Sequence, residues 1–92
     1  MTALDKDREK IDAIDEQIAR LFEERFQVVH DVIDYKMANG LPILNSGREK
    51  EITAKNTERI QDDRIRPYFR KWYEDLLVLS KEYQKEIQKE GE

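Results

Sequence analysis

Residues 24–36 read ERFQVVHDVIDYK, and this run decides the fold. Val28, Val29, Val32 and Ile33 recur at the three-and-four spacing of a single helix face. Neither Gly nor Pro interrupts them. Upstream the same line passes through Arg8, Ile11, Asp15, Ile18 and Phe22, with Leu4, Ile14 and Leu21 beside it, while Lys10, Glu16, Glu23, Glu24 and Gln27 fall on the opposite face. The pattern predicts one helix over about 4–38. It ends at NGLP (39–42), where Gly40 can take the left-handed cap and Pro42 cannot continue the helix. At about 1.5 Å per residue such a helix is roughly 50 Å long, longer than a compact domain of this size is wide.

Two further helices follow. NSGREKEI (45–52) opens a short one over about 47–60, Ser46 and Glu49 having the spacing of a capping box. Its apolar content is thin: Ile52, Ala54 and Ile60. After QDDRIRP (61–67), Pro67 suits the first turn of a third helix over about 66–88. Phe69, Trp72, Tyr73, Leu76, Leu77, Leu79, Tyr83 and Ile87 form its expected buried side, and QKEGE (88–92) is expected to fray. The fold class is therefore all-α, with helices long, short and long in a single domain spanning 1–92.

Composition narrows the function. Of 92 residues, 41% are charged and 38% hydrophobic, lean for a chain that must bury a core alone. A second copy completing that core is the natural remedy. The net charge of −4 disfavours general affinity for nucleic acid or anionic lipid. With no Cys, disulfides, thiolate metal sites and thiol nucleophiles are excluded. The opening stretch lacks the apolar core of a signal peptide and nothing reaches membrane-spanning length, so a cytoplasmic location is expected.

The informative residues are the polar ones on apolar faces. Arg25 stands between Ile18 and Val32, seven residues from each. An arginine there can snorkel, and Lys36 near the helix end also suits the macrodipole. Arg8 near the start opposes that dipole. On the third helix Ser80 lies on the buried line and Gln84 one turn beyond it; on the second, Arg48 adjoins Glu49. Each has an ordinary structural role available. As a set, four cations on faces where unpaired burial is costly, with few acids beyond Asp15 and Glu49 to match, imply an anion from outside. Arginine prefers planar bidentate partners such as carboxylates. A small dianion carrying a hydroxyl or ether oxygen fits the inventory. Arg25 and Lys36 lie roughly 16 Å apart along the helix, and Arg8 is roughly 25 Å from Arg25. Two long side chains can meet a ligand across the first gap. Arg8 reaches it only from a second copy running antiparallel across a two-fold axis.

These residues resemble those of the all-helical chorismate mutases, a family of intertwined homodimers with three helices per subunit. REKIDAIDEQIARLFEERFQVV (8–29) is similar to the family's opening, with Arg8 and Arg25 at its two arginines. Lys36 falls at its catalytic lysine. PILNSGREKEI (42–52) resembles the loop and second-helix start, giving Arg48 and Glu49, and SKEYQ (80–84) matches the serine and glutamine of the last helix. Asn45 stands where many members have an acid.

The resemblance implies the rearrangement of chorismate to prephenate, a step of aromatic amino-acid biosynthesis that needs no cofactor and no metal. It implies that Arg25 and the partner's Arg8 hold the carboxylates, supported by Arg48 and Ser80. Lys36 and Gln84 would donate to the ether oxygen, Glu49 would hold the ring hydroxyl, and Asn45 would join the substrate-binding set. Two rivals stand beside this reading. One is a lyase removing pyruvate from isochorismate on the same scaffold. The other is a non-catalytic helical interaction module in which polar insertions set coiled-coil register.

Overall fold

The computed structural model describes residues 2–42 and 46–91. It contains three helices, α1 (Ala3–Ala38), α2 (Ser46–Glu58) and α3 (Arg66–Glu90), and no strand among the described residues. α1 begins one residue earlier than expected because Thr2 caps it. Thr2 Oγ1 accepts from the Asp5 backbone N–H at 3.1 Å, and Asp5 Oδ2 accepts from the Thr2 N–H at 3.2 Å. This is a capping box closed by Asp instead of the commoner Glu. At the other end Gly40 adopts φ +64°. The Leu41 N–H then donates to Lys36 O at 2.8 Å and the Gly40 N–H to Met37 O at 3.4 Å, the paired bonds of a Schellman ending.

The other boundaries shift in ways with physical causes. α2 begins at Ser46, and the Glu49 carboxylate pairs with Lys81 of α3; the capping role expected of the Ser46 side chain lies outside what is described. α2 stops at Glu58, two residues short of expectation. Arg66 closes the connection that follows, donating from Nε to Ile60 O at 2.5 Å and pairing with Asp63 at 2.9 Å. Pro67 stands in the first turn of α3 as expected. That helix runs two residues further than anticipated, to Glu90, and the Gly91 N–H donates to Ile87 O at 3.1 Å.

α3 packs against both other helices, whereas among the described residues the backbones of α1 and α2 make no close approach to each other. Aromatic rings join α1 to α3: Phe26, stacked on Phe22 of its own helix at 4.4 Å between centroids, lies 5.2 Å from the Tyr83 ring of α3. Tyr83 Oη lies 3.4 Å from His30 Nδ1. α2 meets α3 through a mostly polar face. The donors of Thr53, Asn56 and Thr57 turn back onto carbonyls four residues earlier, at 2.7–2.8 Å, which satisfies them within the helix. Ala54 is exposed, and Thr53 is buried.

Among the described residues the buried apolar core is Ile33, Tyr73 and Leu76. No residue from 2 to 24 is buried or half-buried. Leu4, Ile11, Ile14, Ile18 and Leu21 all face solvent along α1, as do Val32, Trp72 and Leu79, which the periodicity assigns to buried sides. The protomer is correspondingly drawn out, measuring 56 × 27 × 15 Å with a radius of gyration of 16.8 Å. A compact chain of this length has a radius of gyration of about 12 Å.

Candidate active site

The gap between α1 and α2, closed by α3, is a cavity of about 300 Å³. α1 supplies a wall of Val28, Val29, Val32 and Ile33, with Arg25 and Lys36 on the same lining. These two cations are eleven residues apart, so three turns of helix bring both to one side. α2 contributes Arg48, Glu49 and Ile52, and α3 contributes Leu77, Ser80 and Gln84. Three cations and one carboxylate thus line an otherwise apolar space, a lining with a formal surplus of two positive charges.

Arg25 is held firmly. Its Nη1 donates to Ser80 Oγ at 2.8 Å, and its Cζ lies 5.9 Å from the centroid of the Tyr73 ring, within cation–π range. Ser80 is 3% exposed and Tyr73 8%. Tyr73 is fixed in turn from α2, its hydroxyl accepting from Asn56 Nδ2 at 3.0 Å. All three helices therefore share in aiming one guanidinium. Arginine has five N–H donors, so the bond to Ser80 leaves capacity for a bidentate partner.

The structure brings six of the expected residues to this cavity: Arg25, Lys36, Arg48, Glu49, Ser80 and Gln84. Arg8 is not among them; it is exposed on the unpartnered stretch of α1. Asn45 lies outside the described residues. Sequence reading missed Tyr73 and Asn56 as supports of Arg25, and missed Lys81, whose Nζ meets Glu49 Oε2 at 2.7 Å. Tyr73 carried a signal, being an aromatic two turns before Ser80 on the same face. Lys81 carried none, since its partner is on another helix. Among the described residues no group of three or more His, Cys, Asp or Glu is arranged to hold a metal ion, and no helix is long and apolar enough to cross a membrane.

The family model for chorismate mutase type II matches residues 7–85, nearly the whole chain. The chain belongs to the chorismate mutase type II family. A chorismate mutase is an isomerase, and its substrate is itself a dicarboxylate. The fold agrees with a solved structure described as chorismate mutase (form II) from Thermus thermophilus, with a TM-score of 0.84 and 23% sequence identity. The match covers 91% of this chain and 96% of that one. At that identity the likeness speaks for the fold. Comparison with curated protein sequences gave no match. Among the described cavities the one between α1 and α2 alone joins Arg25, Lys36 and Arg48.

Proposed function

We propose that the protein converts chorismate to prephenate in this cavity as a homodimer, with Arg8 of the partner subunit completing each site. The observation that carries the reading is the gathering of Arg25, Lys36, Arg48 and Glu49 from separate helices onto one apolar-walled space. The dimer is supported by the exposed apolar line on α1 from Leu4 to Leu21 and by a core too small for a chain of 92 residues. An antiparallel partner would cover that line and carry its Arg8 toward the cavity.

The rearrangement is unimolecular and concerted: a carbon–carbon bond forms as the ether C–O bond breaks. The protein assists in two physical ways. Arg25 and the partner's Arg8 hold the two carboxylates, with Arg48 and Ser80 in support, so that the side chain stays folded over the ring and conformational freedom is removed beforehand. Lys36 and Gln84 donate to the ether oxygen as it gains charge. Glu49 accepts from the ring hydroxyl. A charge-assisted bond contributes about 1.5–3 kcal/mol. Two that strengthen in the transition state therefore contribute about 3–6 kcal/mol, below the roughly 8 kcal/mol that even modest enzymes supply. The remainder falls to preorganisation, for which the locked Arg25 is suited.

Parallel steady-state assays on chorismate and on isochorismate, with pyruvate measured in each, test the reading. Loss of chorismate with prephenate formed and no pyruvate is the expected result. Pyruvate release from isochorismate without turnover of chorismate would assign the scaffold to the lyase reaction, and inertness toward both would leave an interaction module.

A further inference from the structure

The pair formed by Lys81 and Glu49 has no place in the mechanism so far. Lys81 follows Ser80 on α3, about 100° around the helix from it, and stands one turn after Leu77. Its Nζ crosses to α2 and meets Glu49 Oε2 at 2.7 Å, the side chains being 36% and 24% exposed. Glu49 lines the cavity that holds Arg25 and Lys36, and it also lines a second, more open recess between α2 and α3. Lys81 lines only that outer recess, beside Arg70 and Glu74, which pair with each other at 3.2 Å. The carboxylate is thus a partition between two spaces, held by an ammonium from the side away from the reaction.

We propose that Lys81 is a positioning residue: by bonding Glu49 Oε2 from outside the cavity, it aims the carboxylate at the substrate's ring hydroxyl and offsets its charge beside a dianion. The proposal rests on the role given to Glu49 above. A carboxylate has two acceptor oxygens, so Oε2 can stay with Lys81 while Oε1 takes the hydroxyl proton. Without a cation behind it, a negative group facing a doubly negative substrate repels what it must bind. With Lys81 in contact, the pair is neutral at the range of the carboxylates while its near oxygen still accepts. The pair is only partly shielded from solvent, which limits its contribution to folding stability, and its effect is read in the kinetics.

The test compares Lys81→Met, which keeps the stem but removes the charge, with Lys81→Arg, Glu49→Gln and the double variant Glu49→Gln/Lys81→Met. Chorismate is the substrate throughout. Lys81→Met is expected to raise KM and lower kcat/KM about five- to tenfold, a fold-change of about 1.0–1.4 kcal/mol, with the melting temperature held within about 2 °C. Lys81→Arg should return kcat/KM to within about twofold of the parent. In the Glu49→Gln background, Lys81→Met should cost nothing more, since the two act through one contact. Wild-type kinetics for Lys81→Met alongside an impaired Glu49→Gln would overturn the proposal and leave the role of Glu49 intact. An equal loss from Lys81→Met in both backgrounds would also overturn it, by showing an effect independent of Glu49. Unimpaired Glu49→Gln would instead remove the hydroxyl contact from the mechanism, and the proposal with it. If Lys81→Met loses helicity by circular dichroism, Lys81→Gln carries the same comparison.

Discussion

The Arg25 guanidinium on α1 donates to the Ser80 hydroxyl on α3 at 2.8 Å, across 55 positions of sequence. The bond ties the middle of the longest helix to the most deeply buried polar residue described. Its consequence for activity is direct. Ser80→Ala removes the acceptor and leaves Arg25 restrained by Tyr73 alone. With a hydrogen bond to a charged group contributing about 1.5–3 kcal/mol, we expect kcat/KM to fall roughly tenfold or more. Steady-state kinetics with a parallel thermal melt check this; unchanged kinetics would mean that Arg25 holds its place without the serine.

Lys36 is the full positive charge assigned to the ether oxygen. Lys36→Ala should lower kcat about 100- to 1,000-fold, the range for losing one preorganised donor to a developing oxyanion, with helicity retained by circular dichroism. Near-normal turnover would take Lys36 out of the charge-stabilising role.

Gln84 presents a donor that does not titrate. In Gln84→Glu only the protonated acid can donate to the ether oxygen, and an ordinary glutamate is protonated below about pH 4.3. Stabilisation is then present at low pH and lost as pH rises through that carboxyl's titration, so the optimum should move toward acid. A pH–rate profile superimposable on the parent's would separate Gln84 from the reacting atoms.

Ile14 is 53% exposed in the protomer. On a free surface Ile14→Glu would change stability by no more than about 0.5 kcal/mol. Beneath a partner helix the same change buries a carboxylate. We expect the variant to sediment as a monomer at micromolar concentration, to melt at a lower, concentration-independent temperature, and to lose activity. A parent chain that already sediments as a monomer, with activity proportional to dilution, would refute the paired assembly.

Arg8 and Arg25 offer a complementary test of sharing. Arg8→Ala and Arg25→Ala chains, each inactive alone, should regain activity when co-expressed, because one of the two cavities in a mixed dimer then has both arginines intact. Absence of recovery in purified mixed dimers would place Arg8 outside the site.

The sequence was most legible where periodicity carries the information. The spacing of Val28, Val29, Val32 and Ile33 gave α1, and the same arithmetic placed Arg25 and Lys36 on one side of it. Legibility failed where binary patterning loses meaning. Beside Ile52, the inner face of α2 carries Thr53, Asn56 and Thr57, polar residues whose donors bond back onto their own helix, and hydropathy alone does not mark such residues as inward. Val32, Trp72 and Leu79 are apolar yet exposed in the single chain, since periodicity marks an apolar face and does not say what covers it. Lys81 was invisible for a simpler reason: pairing between helices at 2.7 Å depends on their docking, which no local spacing encodes.

The polar face of α2 also bears on how a guest would reach the cavity. α2 meets α3 mainly through polar groups, Asn56 Nδ2 reaching Tyr73 Oη and Glu49 reaching Lys81, so little apolar adhesion holds it, and elements with few buried apolar contacts open at lower free energy than a packed core. α2 carries Arg48 and Glu49. The side chains proposed to close on the guest therefore sit on a lightly held helix, and amide exchange there is expected to slow when the cavity is filled.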